Sequence, residues 1–463
     1  MSRTTLIHAG WIIPMSDEPV VLRNQVLVLK DHQIDAIVTP EQAQDMIADE
    51  VLQLPNHVLM PGLVNLHGHS AMTLLRGFAD DLDLMDWLNN HIWPAEGKHV
   101  SDEFVYDGSV LAMAEMLLGG TTTINDMYFY HDAVARAGLK TGMRTMVGCS
   151  ILEFPTNYAQ NADEYISKSL QDAQAYQNEE LINFVWAPHA PYTVSDETFK
   201  RVVALAEEHD WLIHCHIHET AFEVEDSVKQ HGKRPLQRLD ELGVLSPRLI
   251  AAHMVHTNEE EMALVAKRGI SIAHNPASNM KLASGFAPIQ AMLDAGVNVG
   301  LGTDGAASNN KLDMFADMRL GALIAKGSTR KPTDVKAYDM LKMATINGAK
   351  ALHLDDKVGT LQAGKQADMI AVDLSALATQ PVFDPISHLV YAADRSQVSH
   401  VWINGEHLVA EGELTRLNQA DLLANAQHWQ QKLPQANGIT GRLKYKNRSL
   451  KERFFDTTCF INY

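Results

Sequence analysis

Between residues 58 and 304 the chain carries eight apolar runs of strand length, and helical texture separates nearly all of them. The runs are VLMPGLVNLH (58–67), TTTINDM (121–127), TGMRTMVGCS (141–150), LINFVWAPH (181–189), WLIHCHIHE (211–219), LIAAHMVH (249–256), GISIAHNP (269–276) and VNVGLGTD (297–304). Continuous apolar strands alternating with helices call for a parallel sheet covered by those helices. Eight such units are the arithmetic of a closed (β/α)8 barrel, which typically takes about 250 residues. A doubly wound open sheet is the competing architecture. It loses weight because no G-x-G-x-x-G follows an early strand. The helices have recognisable ends: SDEFVYDGSVLAMAEMLLGG (101–120) opens on Ser-Asp-Glu and closes on glycines, and SDETFKRVVALAEEH (195–209) begins on Ser195.

The flanks read differently. Residues 1–57 contain TLIHAGWII, VVLRNQVLVLKDHQIDAIV and the start of VLQLPNHVLM, and QVLVLKDHQIDAIV alternates with the period-two pattern of a half-buried strand. Strand texture returns in VGTLQAGKQADMIAVD (358–373) and VSHVWINGEHLVAEGEL (398–414). The expected organisation is therefore α/β, with a TIM-type barrel over 58–357 inserted into a small sheet. That sheet is expected from 1–57 and 358–415, and a C-terminal helix and tail from 416–463, where NQADLLANAQHWQQKL looks helical.

Composition narrows the function classes. With 46% hydrophobic and 21% charged residues the chain is not disordered. No apolar run approaches the roughly 20 residues that span a bilayer, so a membrane is not an expected partner. The start MSRTTLIHAGWIIP lacks a basic segment followed by an apolar one, and the three cysteines (Cys149, Cys215 and Cys459) are too few for a disulfide framework; both suggest a cytoplasmic protein. The formal charge of −19 would repel a phosphate backbone, which argues against nucleic acid. The basic, aromatic GRLKYKNRSLKERFF near the C-terminus reads as a solvated arm rather than an RNA-binding segment. Barrels of this acidity and size often self-associate, so a homo-oligomer is compatible with the sequence.

Twenty-two histidines are the unusual entry in the composition, and their placement matters more than their number. Barrel chemistry gathers at the C-terminal ends of the strands. The first run ends in His67-Gly68-His69, two imidazoles on one face of a strand. His189 closes the fourth run, the fifth ends in His214-Cys215-His216-Ile217-His218-Glu219, the sixth holds His253 and His256, and the eighth ends in Asp304. Any one of these reads as a satisfied buried polar residue. Together they would be costly in a desolvated mouth without a cation. Three neutral histidines and a carboxylate suit a divalent first-row ion. Cys215 points away from His214 and His216 and is expected to pack.

The motifs MPGLVNLHGH, HIHE, AAHMVH, AHNPASNMKLASG and GLGTDGAASNN occur in this order, and together they resemble the amidohydrolase superfamily in its aminohydrolase branch. Within it the chain is similar to the 5'-methylthioadenosine/S-adenosylhomocysteine deaminases, up to about residue 415. The resemblance implies a composite β-sandwich beside a metal-bearing barrel. It implies His67, His69, His216 and Asp304 as ligands of one divalent ion, with zinc favoured. It gives Glu219 the role of proton shuttle and His253 that of orienting the attacking water. A second ion would need a lysine or glutamate at the end of the fourth strand, where the sequence reads WAPHAP. His189 corresponds to a purine-contacting histidine, and Glu96, in WPAEGKH, to a carboxylate that accepts from ribose hydroxyls.

The implied reaction is hydrolytic deamination of an adenine nucleoside with a modified 5' position, by a metal-activated hydroxide, with Asp304 and Glu219 also touching substrate. The alternative is deamination of another aminated heterocycle, of the guanine or s-triazine type. The unrelated cytidine-deaminase signature, H-x-E with P-C-x-x-C, is absent. Asn279 and Ser308 are expected to make loop hydrogen bonds. A preference for 5'-methylthioadenosine over S-adenosylhomocysteine is also expected. The amino-acid tail of the latter wants an arginine, while Arg144 falls inside a strand and Arg76 is followed by acidic residues. Trp87, Trp93, Leu152 and Phe154 offer apolar surface for a methylthio group.

Overall fold

The computed structural model describes residues 3–433; GRLKYKNRSLKERFF and Cys459 lie outside the described residues. The chain begins with β1 (Thr4–Ile12), which pairs antiparallel with β2 (Leu22–Lys30); β2 turns back into β3 (Gln33–Val38). The period-two run QVLVLKDHQIDAIV is thus a hairpin and not one strand. Asp31 takes a φ of 54° in its turn, a left-handed conformation that a short polar residue tolerates. On its other edge β1 lies parallel to β4 (Glu50–Pro61).

The eight barrel strands follow: β5 (Leu63–Gly68), β6 (Thr121–Asp126), β7 (Arg144–Ile151), β8 (Ile182–Pro188), β9 (Ile213–Ile217), β10 (Leu249–His253), β11 (Ser271–His274) and β12 (Asn298–Leu301). They form one parallel sheet in sequence order. The expected first barrel run needs correction, because β4 stays in the small sheet as far as Pro61 and the barrel begins at Leu63. The seam between β12 and β5 closes through single bonds. Asp304 N donates to His67 O at 3.0 Å, and the Asn65 carboxamide bonds Thr303 N at 3.0 Å and Thr303 Oγ1 at 2.8 Å. Helix Asp102–Leu118 is capped by Ser101 and helix Asp196–His209 by Ser195, as their sequences suggest.

After the barrel, β13 (Met369–Asp373) pairs antiparallel with β4, and β14 (Val398–Ile403), β15 (Glu406–Ala410) and β16 (Glu413–Leu414) extend that sheet outward. Both ends of the chain therefore build one eight-stranded sheet. It curls over a core that includes Ile7, Leu27, Leu59, Met369 and Trp402, and Ala367 N meets His32 O at 2.9 Å, where the turn between β2 and β3 reaches the segment leading into β13. Arg144, at the N-terminal end of β7, bonds Asp368 at 2.8 and 3.0 Å and Gln366 at 2.6 Å, tying the barrel floor to the small sheet. Helix Gln419–Lys432 rests on the barrel through Trp429, whose Nε1 donates to Asp107 at 2.9 Å. No helix among the described residues is long and apolar enough to cross a membrane.

Candidate active site

The parallel register delivers polar side chains to one end of the barrel. His67 and His69 leave the end of β5, His216 lies in β9, His253 ends β10, and Asp304 follows β12. His253 has φ 75° and Asp304 φ 62°, left-handed backbone at residues other than glycine. Such conformations cost free energy and concentrate where a side chain must be aimed.

Four donors converge. Asp304 Oδ1 lies 3.4 Å from His67 Nε2 and 3.2 Å from His69 Nε2, and His69 Nε2 lies 3.4 Å from His216 Nε2. Ligands about 2.0–2.1 Å from a tetrahedral ion are about 3.3–3.4 Å apart, so this spacing fits one cation. A second, overlapping group joins His67, His216 and His253 with ligand atoms within 4.8 Å, bringing His253 to the edge of the same cluster. The buried His67 Nε2 has no hydrogen-bond partner. That orphaned nitrogen, amid three other inward-facing donors, is what a metal site predicts.

The outer nitrogens are all engaged. His69 Nδ1 meets Met127 O at 2.7 Å, and His216 Nδ1 meets His189 O at 2.7 Å. His67 Nδ1 meets His214 Nε2 at 2.9 Å. A neutral imidazole whose Nδ1–H donates outward presents its Nε2 lone pair inward, the form that binds a metal. Asp304 is held by Ser278 Oγ at 2.6 Å and Gly305 N at 2.7 Å. Burial pushes His67 down to about 4 and His216 well below its usual value. Burial opposes protonation of His69 too, but Asp304 outweighs it and lifts that group to about 9. The two imidazoles overcome burial at Asp304 and hold it well below the usual carboxylate range.

Glu219 stands beside the cluster, its Oε2 3.8 Å from His253 Nε2, and burial raises its carboxyl above the usual value. Glu223 holds this turn in place by accepting from His218 N and Glu219 N, both at 2.8 Å. His253 is aimed by its Nδ1 contact with Asn279 Oδ1 at 2.9 Å. His189, driven down to about 3 by burial, is steadied by Thr193 Oγ1 at 3.0 Å. Glu96 accepts from the Tyr128 hydroxyl at 2.6 Å, and burial raises its carboxyl to about 7 against that bond.

One cavity of about 370 Å³ is lined by His69, His189, His216, Glu219, His253, Asp304 and Glu96. His67 lies behind this surface, fully buried. His67, His69, Glu96, His189, His216, Glu219, His253 and Asp304 are thus brought to one site, whereas His256 lies outside it, its Nε2 against Ser284 O at 2.8 Å. Ser308 also lines the cavity. His214, Glu223, Ser278, Tyr128 and Thr193 escaped the sequence reading, and Asn279 does more than the turn bond expected of it. His214 was visible as the alternate residue to His216 on the same strand; the other four had no signal beyond a polar side chain in or near a motif. Cys215 is buried in the apolar core, as expected.

Fold and site together define a metal-dependent hydrolase of the (β/α)8 class. Residues 58–408 match the amidohydrolase family, and the chain belongs to it. A 5-methylthioadenosine/S-adenosylhomocysteine deaminase from Teredinibacter turnerae is 47% identical over 438 residues, covering 94% of this chain and 99% of that protein. A 5'-deoxyadenosine deaminase from Methanothermobacter thermautotrophicus is 41% identical, covering 86% and 92%. A zinc-bound crystal structure of an adenosine deaminase from Xanthomonas campestris superposes with a TM-score of 0.91 at 46% identity, covering 93% of this chain and 98% of that one.

Proposed function

We propose that this protein hydrolytically deaminates adenine nucleosides with a modified 5' position, 5'-methylthioadenosine foremost, to the inosine analogue and ammonia. The observation that supports this best is the single cavity in which His69, His216, Asp304 and Glu219 share a surface with Glu96. Such a cavity brings hydrolytic chemistry and a hydroxyl-accepting carboxylate together.

His67, His69, His216 and Asp304 would hold one divalent ion, zinc being the favoured candidate. When bound, that ion supplies Lewis acidity and a water acidic enough to ionise near neutral pH. The chain's own groups do the rest. Glu219 takes the proton of the attacking water and delivers it to the ring nitrogen next to the amine-bearing carbon, so that electrons can move onto that nitrogen. Its burial favours the protonated form it must pass through. His253, fixed by Asn279, gives the forming hydroxyl an electrostatic partner. Asp304, fixed by Ser278 and Gly305, helps proton delivery to the departing ammonia. His189 contacts the purine, and Glu96 accepts from the vicinal ribose hydroxyls.

The test is ammonia release by the purified protein with 5'-methylthioadenosine, adenosine, guanine and an s-triazine. Release from 5'-methylthioadenosine is expected. Release confined to guanine or the triazine would overturn the proposal in favour of the other aminated heterocycles.

A further inference from the structure

Two groups of the site are aimed from one short helix and not from the strands that carry them. In helix Pro276–Lys281, Ser278 Oγ donates to Asp304 Oδ2 at 2.6 Å. The next residue, Asn279, holds His253 Nδ1 at 2.9 Å through its Oδ1. Both Ser278 and Asn279 are buried. A shift of this helix therefore moves a proposed metal ligand and the proposed partner of the forming hydroxyl together.

The helix is held by residues outside its own sequence. Its N-cap, Asn275, makes no capping hydrogen bond with its side chain. The N–H of Ala277 is taken instead by Asp317 Oδ1 at 3.1 Å, from the first turn of helix Met314–Thr329. Asp317 Oδ2 accepts from Asn309 Nδ2 at 3.0 Å, and the same nitrogen donates to Thr303 O at 2.8 Å, one residue before Asp304. One buried carboxylate thus ties the backbone just before Ser278 to the loop that begins just before Asp304. At the other end of the helix, Lys281 Nζ donates to Ala307 O at 2.9 Å and to Asn310 Oδ1 at 2.5 Å, so the same loop is gripped twice. Asp317 itself is not part of the cavity lining.

We propose that Asp317 is a positioning residue whose carboxylate clamps helix Pro276–Lys281 to loop 303–310 and so sets Asp304 and His253 in place together. A carboxylate is suited to this because its two oxygens, fixed in spacing, accept from donors on two different segments. Where burial leaves those donors no water, loss of the acceptor frees both segments. Glu96 and His189 are steadied by Tyr128 and Thr193 and stand outside the clamp. The inference rests on the roles given above to Asp304 and His253.

The experiment uses Asp317→Asn in the full-length protein. The new side chain keeps the shape and one acceptor for Ala277 N–H, but it turns an amide N–H toward that of Asn309. The zinc dissociation constant is read by competition with a chelator, and kcat and KM are read with 5'-methylthioadenosine on zinc-saturated protein. The expected result is zinc binding weaker by about tenfold and kcat lower by about tenfold, the scale of losing a group behind a metal ligand. KM should stay within about twofold, since substrate binding is untouched. Asp313→Ala is the control. Asp313 caps the same helix by accepting from Ala316 N at 3.1 Å. Its loss should lower Tm and leave zinc affinity and kcat per folded molecule unchanged.

The inference is overturned if either the zinc dissociation constant or kcat of Asp317→Asn stays within about twofold of the unaltered protein, or if the loss lies in KM alone. It is overturned as well if Asp313→Ala reproduces the loss. Should Asp317→Asn not fold, Asn309→Ala, at a half-buried position, opens the clamp from the loop side and is read by the same measures. Zinc titration needs no substrate. It therefore decides the clamp even where no adenine nucleoside releases ammonia, a result that removes only the proposed function. An intact zinc affinity in Asp317→Asn, with ammonia still released by the unaltered protein, removes only the clamp.

Discussion

The unpartnered His67 Nε2 shows how much of this site is decided atom by atom. His67→Ala or His216→Ala deletes one of four converging donors, and elemental analysis should find less than one ion per chain together with loss of activity. Full activity in either variant would refute the ligand set. Glu219→Gln keeps the donors and removes the proton carrier. Metal content should therefore hold while kcat falls by at least about 10²-fold. Loss of metal in that variant would make Glu219 a ligand. Glu96 makes a prediction in pH. Its carboxyl, raised by burial to about 7, is an acceptor above that pH and a protonated acid below it. KM for the nucleoside should accordingly rise as pH falls through about 7. Glu96→Gln should show a raised KM without that dependence, and an unchanged KM would remove Glu96 from ribose binding.

At the scale of elements, the strand ends had to meet the loops at close quarters. Gly148 in β7 packs on the backbone of β6, where an added Cβ would lie 2.0 Å from Asp126 O. Gly148→Ala should destabilise by about 1–3 kcal/mol, because a backbone carbonyl cannot swing aside as a flexible side chain can. Asp126 also holds Ser70 N at 2.7 Å, next to His69, so the variant should bind metal less well too. Thermal unfolding with and without added metal checks both effects. Period and capping made helices such as Asp102–Leu118 legible, since Ser101 bonds the N–H three residues away. The hairpin at Asp31 and the extension of β4 to Pro61 were not legible. Register and turn conformation there depend on partner strands far along the chain.

Over the whole molecule, one buried ion pair joins barrel to sheet. Arg144→Met leaves the Asp368 carboxylate buried with Asn404 N as its remaining close donor, at 2.8 Å, and should cost about 3–5 kcal/mol. The double change Arg144→Met with Asp368→Leu should recover part of that loss, because no charge is then stranded. Both variants should keep their specificity constants per folded molecule, since the pair lies at the end of the barrel away from the cavity. A specific effect on S-adenosylhomocysteine would contradict that placement.

The sequence by itself determined the alternation that makes a barrel, the caps of its helices and the identity of the inward-facing histidines. Those features rest on neighbours a few residues apart: a strand repeats every two residues, a helix about every 3.6, and a motif such as His67-Gly68-His69 lies within one strand. Tertiary structure alone decided the rest. His67 meets His214 and Asp304 across gaps of 147 and 237 positions, Tyr128 finds Glu96, and Arg144 spends its charge on Asp368 instead of a substrate. Contacts of that reach are set by how eight strands close into a ring and how two chain ends share a sheet. No local pattern records which buried donor will face which acceptor until the ring is closed.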